Sequence, residues 1–133
     1  MAEKTVAEKL GIKPGKTVWT SHPDRFAGIG ELPSGASLTS DLGGAAVAVL
    51  YVDDAQAARD LLDAHQADVT KPPAEWFAYP KANRTDVNRD TLWPIVVEYG
   101  LRPNGQIALD EVWSALRFRA NKPGEEPFTG GKK

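Results

Sequence analysis

The chain has no cysteine, which removes disulfides, thiolate metal sites and cysteine nucleophiles together. Histidine is nearly as scarce. His22 and His65 are the only two, and neither stands at ligand spacing from a second metal-binding side chain, so no metal site is expected. A dominant charge is also missing: 16 Lys and Arg against 18 Asp and Glu leave a net charge of −2. Such a balance gives no general attraction to nucleic acid or to an anionic membrane. Long apolar runs are absent too. The longest, "AAVAVLYV" at 45–52, is far too short to span a bilayer, and "MAEKTVAEKL" lacks the apolar centre of a signal peptide. A cytoplasmic location is therefore expected. There is no Walker loop and no serine in a nucleophile-elbow context.

What is present reads as an ordinary soluble domain of 133 residues, long enough to bury a core without metals or crosslinks. Thr5 and Glu8 have capping-box spacing. Gly11 and Pro14 then end a helix of one or two turns. "KTVWTS" reads as a strand and "PDRFAGIG" as a short helical turn, and the turn-rich segment after it has room for a short strand near Ser37 to Thr39. "AAVAVLYV" is apolar on consecutive residues, the mark of a strand buried on both faces in a parallel sheet. Asp53 is the expected N-cap of the next helix, with Gln56 at its N3 position. "EWFAY" forms another buried strand. A third helix follows, starting near Asp86 with a kink or near Thr91 with Pro94 in its first turn. Gly100 stops it as Gly11 stops the first. "GQIALDEVWSALRFR" closes the fold as a strand pair turning near Asp110 and Glu111. Residues 1–120 are expected to form one domain and 121–133 a disordered tail.

This order predicts an α/β, three-layer Rossmann-like sandwich: a mostly parallel sheet, helices on both faces, and a C-terminal antiparallel strand pair. Residues 45–52 and 75–79 should be adjacent parallel central strands, with 112–119 antiparallel nearby. From about residue 45 to 119 the pattern resembles the C-terminal half of Rossmann-like methyltransferases, in which the last strand inserts antiparallel. The cofactor half does not follow that resemblance. Such folds place a glycine-rich turn directly after the first strand and an acidic residue after the second. Here the first strand runs into "SHPDRFAGIGELP". The expectation is that one strand–helix unit is missing, that S-adenosylmethionine and nicotinamide dinucleotides do not bind, and that the chain has no cofactor. "KLGIKPG", "YPK" with Asp86, and "LDEVWSALRFR" are similar to segments of a largely actinobacterial family catalogued as domain of unknown function 3052. That resemblance implies no activity and carries no site residues.

In open α/β sheets, ligands sit beyond the carboxyl ends of the parallel strands. That rule gathers Ser21, His22 and Asp24 after the first strand, Asp53 and Asp54 after the second apolar strand, and Lys81, Asn83, Arg84 and Asp86 after the third. His22, Asp53, Lys81, Arg84 and Asp86 are the candidate ligand-binding rim, with charge of both signs beside a histidine. Helix caps and a solvated turn account for the same residues without a ligand. Arg84, Arg89, Arg102, Arg117 and Arg119 with Trp93 and Trp113 could make a basic aromatic patch, but scattered arginines on an acidic-leaning chain read first as solvated surface. Trp93, beside Pro94, could anchor a partner or pack in the core. The sequence therefore leads to a non-catalytic domain that binds a protein partner or itself. The alternative is a small-molecule-binding protein or enzyme using the strand-end rim.

Overall fold

The computed structural model describes residues 6–26, 32–72, 74–81, 86–109, 112–121 and 124. Four strands run parallel in the order of a doubly wound sheet: β1 (Thr17–Thr20), β2 (Ser37–Leu38), β3 (Val47–Tyr51) and β4 (Ala74–Pro80). An antiparallel ribbon, β5 (Leu101–Ala108) and β6 (Trp113–Ala120), completes a six-stranded sheet ordered β2-β1-β3-β4-β6-β5. The final strand thus slots between β4 and β5. β3 and β4 are parallel neighbours paired from Val47↔Ala74 to Tyr51↔Ala78, and β6 is antiparallel to β4, as the consecutive apolar runs predict. Set against the doubly wound order 3-2-1-4-5-6, the unit that would follow β2 is missing. A 3-10 turn at Leu42–Gly44 leads straight into β3 instead.

Side chains alternating along β3 divide the core. Val47, Val49 and Tyr51 face α1 (Val6–Lys9) and α2 (Pro23–Phe26), whereas Ala48 and Leu50 face α3 (Ala55–Ala64) and α4 (Arg89–Val97). Trp76 fixes the first layer by donating its indole N–H to the Leu10 carbonyl at 2.8 Å, inside the protein. That carbonyl belongs to the turn where Gly11 takes φ 81°, a conformation glycine adopts without steric cost. The Ile12 amide there closes back on the Ala7 carbonyl at 3.0 Å. Gly100, at φ 90°, ends the α4 segment the same way. Thr5, half of the expected capping box, lies outside the described residues, as do Asp110, Glu111 and most of the expected tail.

Two expected caps differ from those observed. Asp54, not Asp53, caps α3, accepting from the Ala57 amide at 2.8 Å. Asn88 caps α4 in a reciprocal box with Thr91, so that helix starts at Arg89 and Pro94 falls in its second turn. Asp86 does cap a helix, but the other one: its Oδ1 accepts from the Ala55 amide at 2.8 Å, at the start of α3. Asp86→Ala is therefore expected to cost about 1 kcal/mol, with faster amide exchange in the first turn of α3 and unchanged exchange in α4. A loss confined to α4 would contradict that assignment.

The α3/α4 face also holds an unexpected charge. Glu75 lies between Ala48 on β3 and Phe118 on β6 and is completely buried. Among the described residues neither of its carboxyl oxygens has a hydrogen-bond partner, and burial pushes its pKa up to about 9. Phe77, two residues along the same face, meets Phe118 edge-on at 5.3 Å.

Both outer edges of the sheet are poor. β2 pairs over only two residues. β5 carries Pro103 and loses register between Pro103 and Gly105.

Candidate functional site

The chain leaves β1 in one direction, towards β2, and continues from β3 in the other, so the sheet's topological switch point lies between β1 and β3. At its carboxyl end Ser21, the first residue after β1, ties β1 to β3. The Ser21 amide donates to the Val49 carbonyl at 3.1 Å, and the Ser21 Oγ accepts from the Tyr51 amide at 2.8 Å. That hydroxyl also shares a 2.7 Å hydrogen bond with Nδ1 of His22. The His22 ring stands edge-on to Tyr51 with centroids 6.1 Å apart, and Tyr51 stands edge-on to Trp113 at 5.3 Å.

Over this aromatic row lies an ion pair. From α2, Arg25 grips Asp53 with both guanidinium arms, Nη1 to Oδ1 at 2.9 Å and Nη2 to Oδ2 at 3.2 Å. The same guanidinium lies 5.3 Å from the centroid of the Trp113 ring, within cation–π reach. The pair is open to solvent, with side-chain exposure of 32% for Arg25 and 54% for Asp53.

Of the expected rim residues, the structure brings His22 and Asp53 to the switch point. Asp86 reaches the adjacent start of α3 through Ala55. Lys81 directly follows β4, half-buried, its amide donating to the Val112 carbonyl at 2.7 Å. Arg84 and Asn83 lie outside the described residues. Arg25 and Trp113 were not in the expected rim. Arg25 and Asp53 are 28 residues apart, and Trp113 enters only because β6 returns alongside β4, setting it opposite Pro80. No local spacing signals either contact. Trp93 packs, partly buried, against the α3/α4 core. Among the described residues no group of three or more His, Asp or Glu could hold a metal ion.

A cavity of about 270 Å³ is lined by Glu8, Gly11, Ile12, Lys13, Pro14 and Pro33. It lies by the turn before β1, away from the switch point. Its walls bring one Lys and one Glu together with glycine and proline, whereas the rim supplies a histidine, paired charges and aromatic faces.

The rim does not suit an adenine dinucleotide or S-adenosylmethionine. Their site needs a glycine turn after β1 and an acidic side chain at the end of β2. After β1 come Ser21, His22 and Pro23, with the Ser21 hydroxyl committed to Tyr51. β2 stops level with Val18, and the chain turns towards the opposite end of the sheet. The carboxylate following β2, Asp41, acts there: the pKa of Lys71 is raised by its hydrogen bond to Asp68 and the charge of Asp68, with a smaller part from Asp41.

No family model matches the chain and no curated protein does. Solved structures do. A protein of the NADB-Rossmann superfamily from Streptococcus agalactiae matches at 10% identity and a TM-score of 0.59, over 97% of this chain and 72% of that one. A putative tRNA methyltransferase of Streptococcus pneumoniae matches at 11% identity and a TM-score of 0.55, over 98% and 74%. LepI in complex with SAM matches at 14% identity and a TM-score of 0.51, over 87% of this chain but 39% of that one. These likenesses establish the Rossmann-like fold. Two of these are described as a putative tRNA methyltransferase and as a complex with SAM, and the expectation of a non-catalytic interaction or self-associating module gives way on that ground. Among the described residues no helix is long and apolar enough to cross a membrane.

Proposed function

We propose that this chain binds a small molecule at the carboxyl ends of β1 and β3, using the rim formed by His22, Arg25, Asp53 and Trp113. The observation that carries the reading is the Arg25–Asp53 pair lying over Trp113 at the sheet's switch point. Doubly wound folds bind their ligands at this place, and here it combines an aromatic surface with exposed charges of both signs. The solved structures that share the fold add support through a methyltransferase and a SAM-bound protein. Membership of the family catalogued as domain of unknown function 3052 rests on the quoted motifs and adds no activity of its own.

Ser21 and His22 are hydrogen-bonded to each other through Nδ1, which orients the imidazole at the rim. The test is an amide-resolved NMR titration of the full chain with a mixed library of small carboxylates, phosphates and heteroaromatic compounds. Shifts are expected to cluster at residues 21–25, 51–54, 81 and 113, and Arg25→Ala should weaken anionic hits about tenfold, the loss of one charge-assisted hydrogen bond. Hits confined to the cavity beside Ile12 and Pro33 would move the site there and end this reading.

A further inference from the structure

Building on that reading of the rim, we infer that its ligand class is a small zwitterion of the α-amino acid type, with carboxylate and ammonium on one carbon, and not a nucleoside cofactor. The inference comes from what the Arg25–Asp53 pair offers when it opens. Both side chains are partly solvated, and exposed ion pairs of this kind contribute little to stability, so a ligand can displace one partner from the other at small cost. Arg25 is the anchored member, because Trp113 lies beneath its guanidinium. Asp53, more exposed, is the member free to turn aside.

A ligand carrying only an anion would satisfy Arg25 but would leave its charge against Asp53. A cation alone would leave Arg25 unpaired. A carboxylate and an ammonium one carbon apart answer both groups, because they reproduce across the ligand the pairing that the protein makes with itself. The carboxylate takes the bidentate place on the guanidinium, and the ammonium meets Asp53. Two further carboxylates stand close by, each committed to a backbone amide at the start of α3: Asp54 to Ala57 and Asp86 to Ala55. Their charge favours an ammonium on this side of the rim over a second anion. The ligand's carbon side then lies beside the partly exposed Trp113, whose ring is held edge-on by the buried Tyr51. A nucleoside has no equivalent place. No glycine turn follows β1, the Ser21 hydroxyl ties β1 to β3, and the β2 stub brings no carboxylate to the rim.

The test titrates the full chain by NMR at pH 7 with three matched compounds: phenylalanine, its deaminated acid 3-phenylpropionate, and its decarboxylated amine phenethylamine. S-adenosylmethionine is titrated alongside. Phenylalanine is expected to shift Arg25, Asp53 and Trp113 signals with affinity at least about tenfold above either half-molecule, one charge-assisted contact being worth that much. Asp53→Asn should abolish its advantage over the acid, and Arg25→Met should remove binding of both, with spectra otherwise unchanged because the pair is solvated. If 3-phenylpropionate binds as well as phenylalanine, the zwitterion inference falls and the rim remains a ligand site. Micromolar binding of S-adenosylmethionine at the rim would overturn the exclusion of a nucleoside cofactor, since its methionyl end carries the same zwitterion. If no compound moves a rim signal, both readings fall.

Discussion

Glu75→Leu is expected to make the protein more stable, by on the order of 3 kcal/mol at pH 8. Removal of an ionisable residue seldom does this, and the reason lies in where the carboxyl sits. It is sealed between Ala48 and Phe118, neither oxygen has a partner among the described residues, and burial raises its pKa from the ordinary 4.5 to about 9. The folded chain therefore keeps a proton that the unfolded chain releases above about pH 4.5. Stability is fully present below that pH and falls as pH rises towards 9, by up to about 1.4 kcal/mol per unit.

The ionisable groups of α3 and of the residue that follows it are engaged elsewhere. On α3, Arg59 pairs with Glu98, Asp60 accepts from Gln56 and Asp63 accepts from the Tyr99 hydroxyl, and His65 at its C-cap meets Trp19 edge-on. Among the described residues no neighbouring charge contributes to the shift at Glu75. Leucine removes the proton linkage and the stranded polar group together. Glutamine removes only the linkage, so Glu75→Gln should flatten the pH profile with a smaller gain. Urea unfolding of the three chains between pH 5 and 9 measures all of this. A native profile already flat across that range would show that the carboxylate is solvated or paired.

Phe77→Ala should have the largest opposite effect, a loss of about 4 kcal/mol. Phe77 is completely buried in the middle of β4, and β4 is hydrogen-bonded to β3 on one side and β6 on the other. Truncation there forfeits the apolar transfer energy and the edge-on contact with Phe118. It also leaves a void that the flanking strands, fixed by their ladders, cannot close. Phe118→Ala removes the other half of the same contact, so the double variant should lose less than the sum of the two single losses. A cost for Phe77→Ala below about 1 kcal/mol in urea unfolding would mean that the layer under α3 and α4 can collapse around the gap, unlike a closely packed core.

The sheet was legible because its signals are local. Consecutive apolar residues in "AAVAVLYV" and "EWFAY" mark strands covered on both sides, and Gly11 and Gly100 announce the ends of helical segments wherever the rest of the chain lies. The caps were harder. A cap accepts from a backbone amide that every residue supplies, so spacing could not choose between Asp53 and Asp54. Nor could it reveal that Asp86 serves a helix 31 residues away. The rim needed contacts made only after folding: Arg25 to Asp53 and Trp113 to Tyr51. Glu75 was readable and was missed. If "EWFAY" is buried on both faces, the one acid within it has nowhere to go but inside.

The edges of the sheet bear on how the protein keeps company with its own copies. An open β-edge recruits strands from other molecules through unpaired amides and carbonyls. Here one margin offers a two-residue stub, and the other is interrupted by a proline and a slipped register. Neither presents the long flat run of hydrogen-bonding groups that a second chain could extend. The fold has shed a strand without gaining a sticky border, so crowding should leave these molecules dispersed. A partner chain would then have to be met by side chains and not by an extension of the sheet.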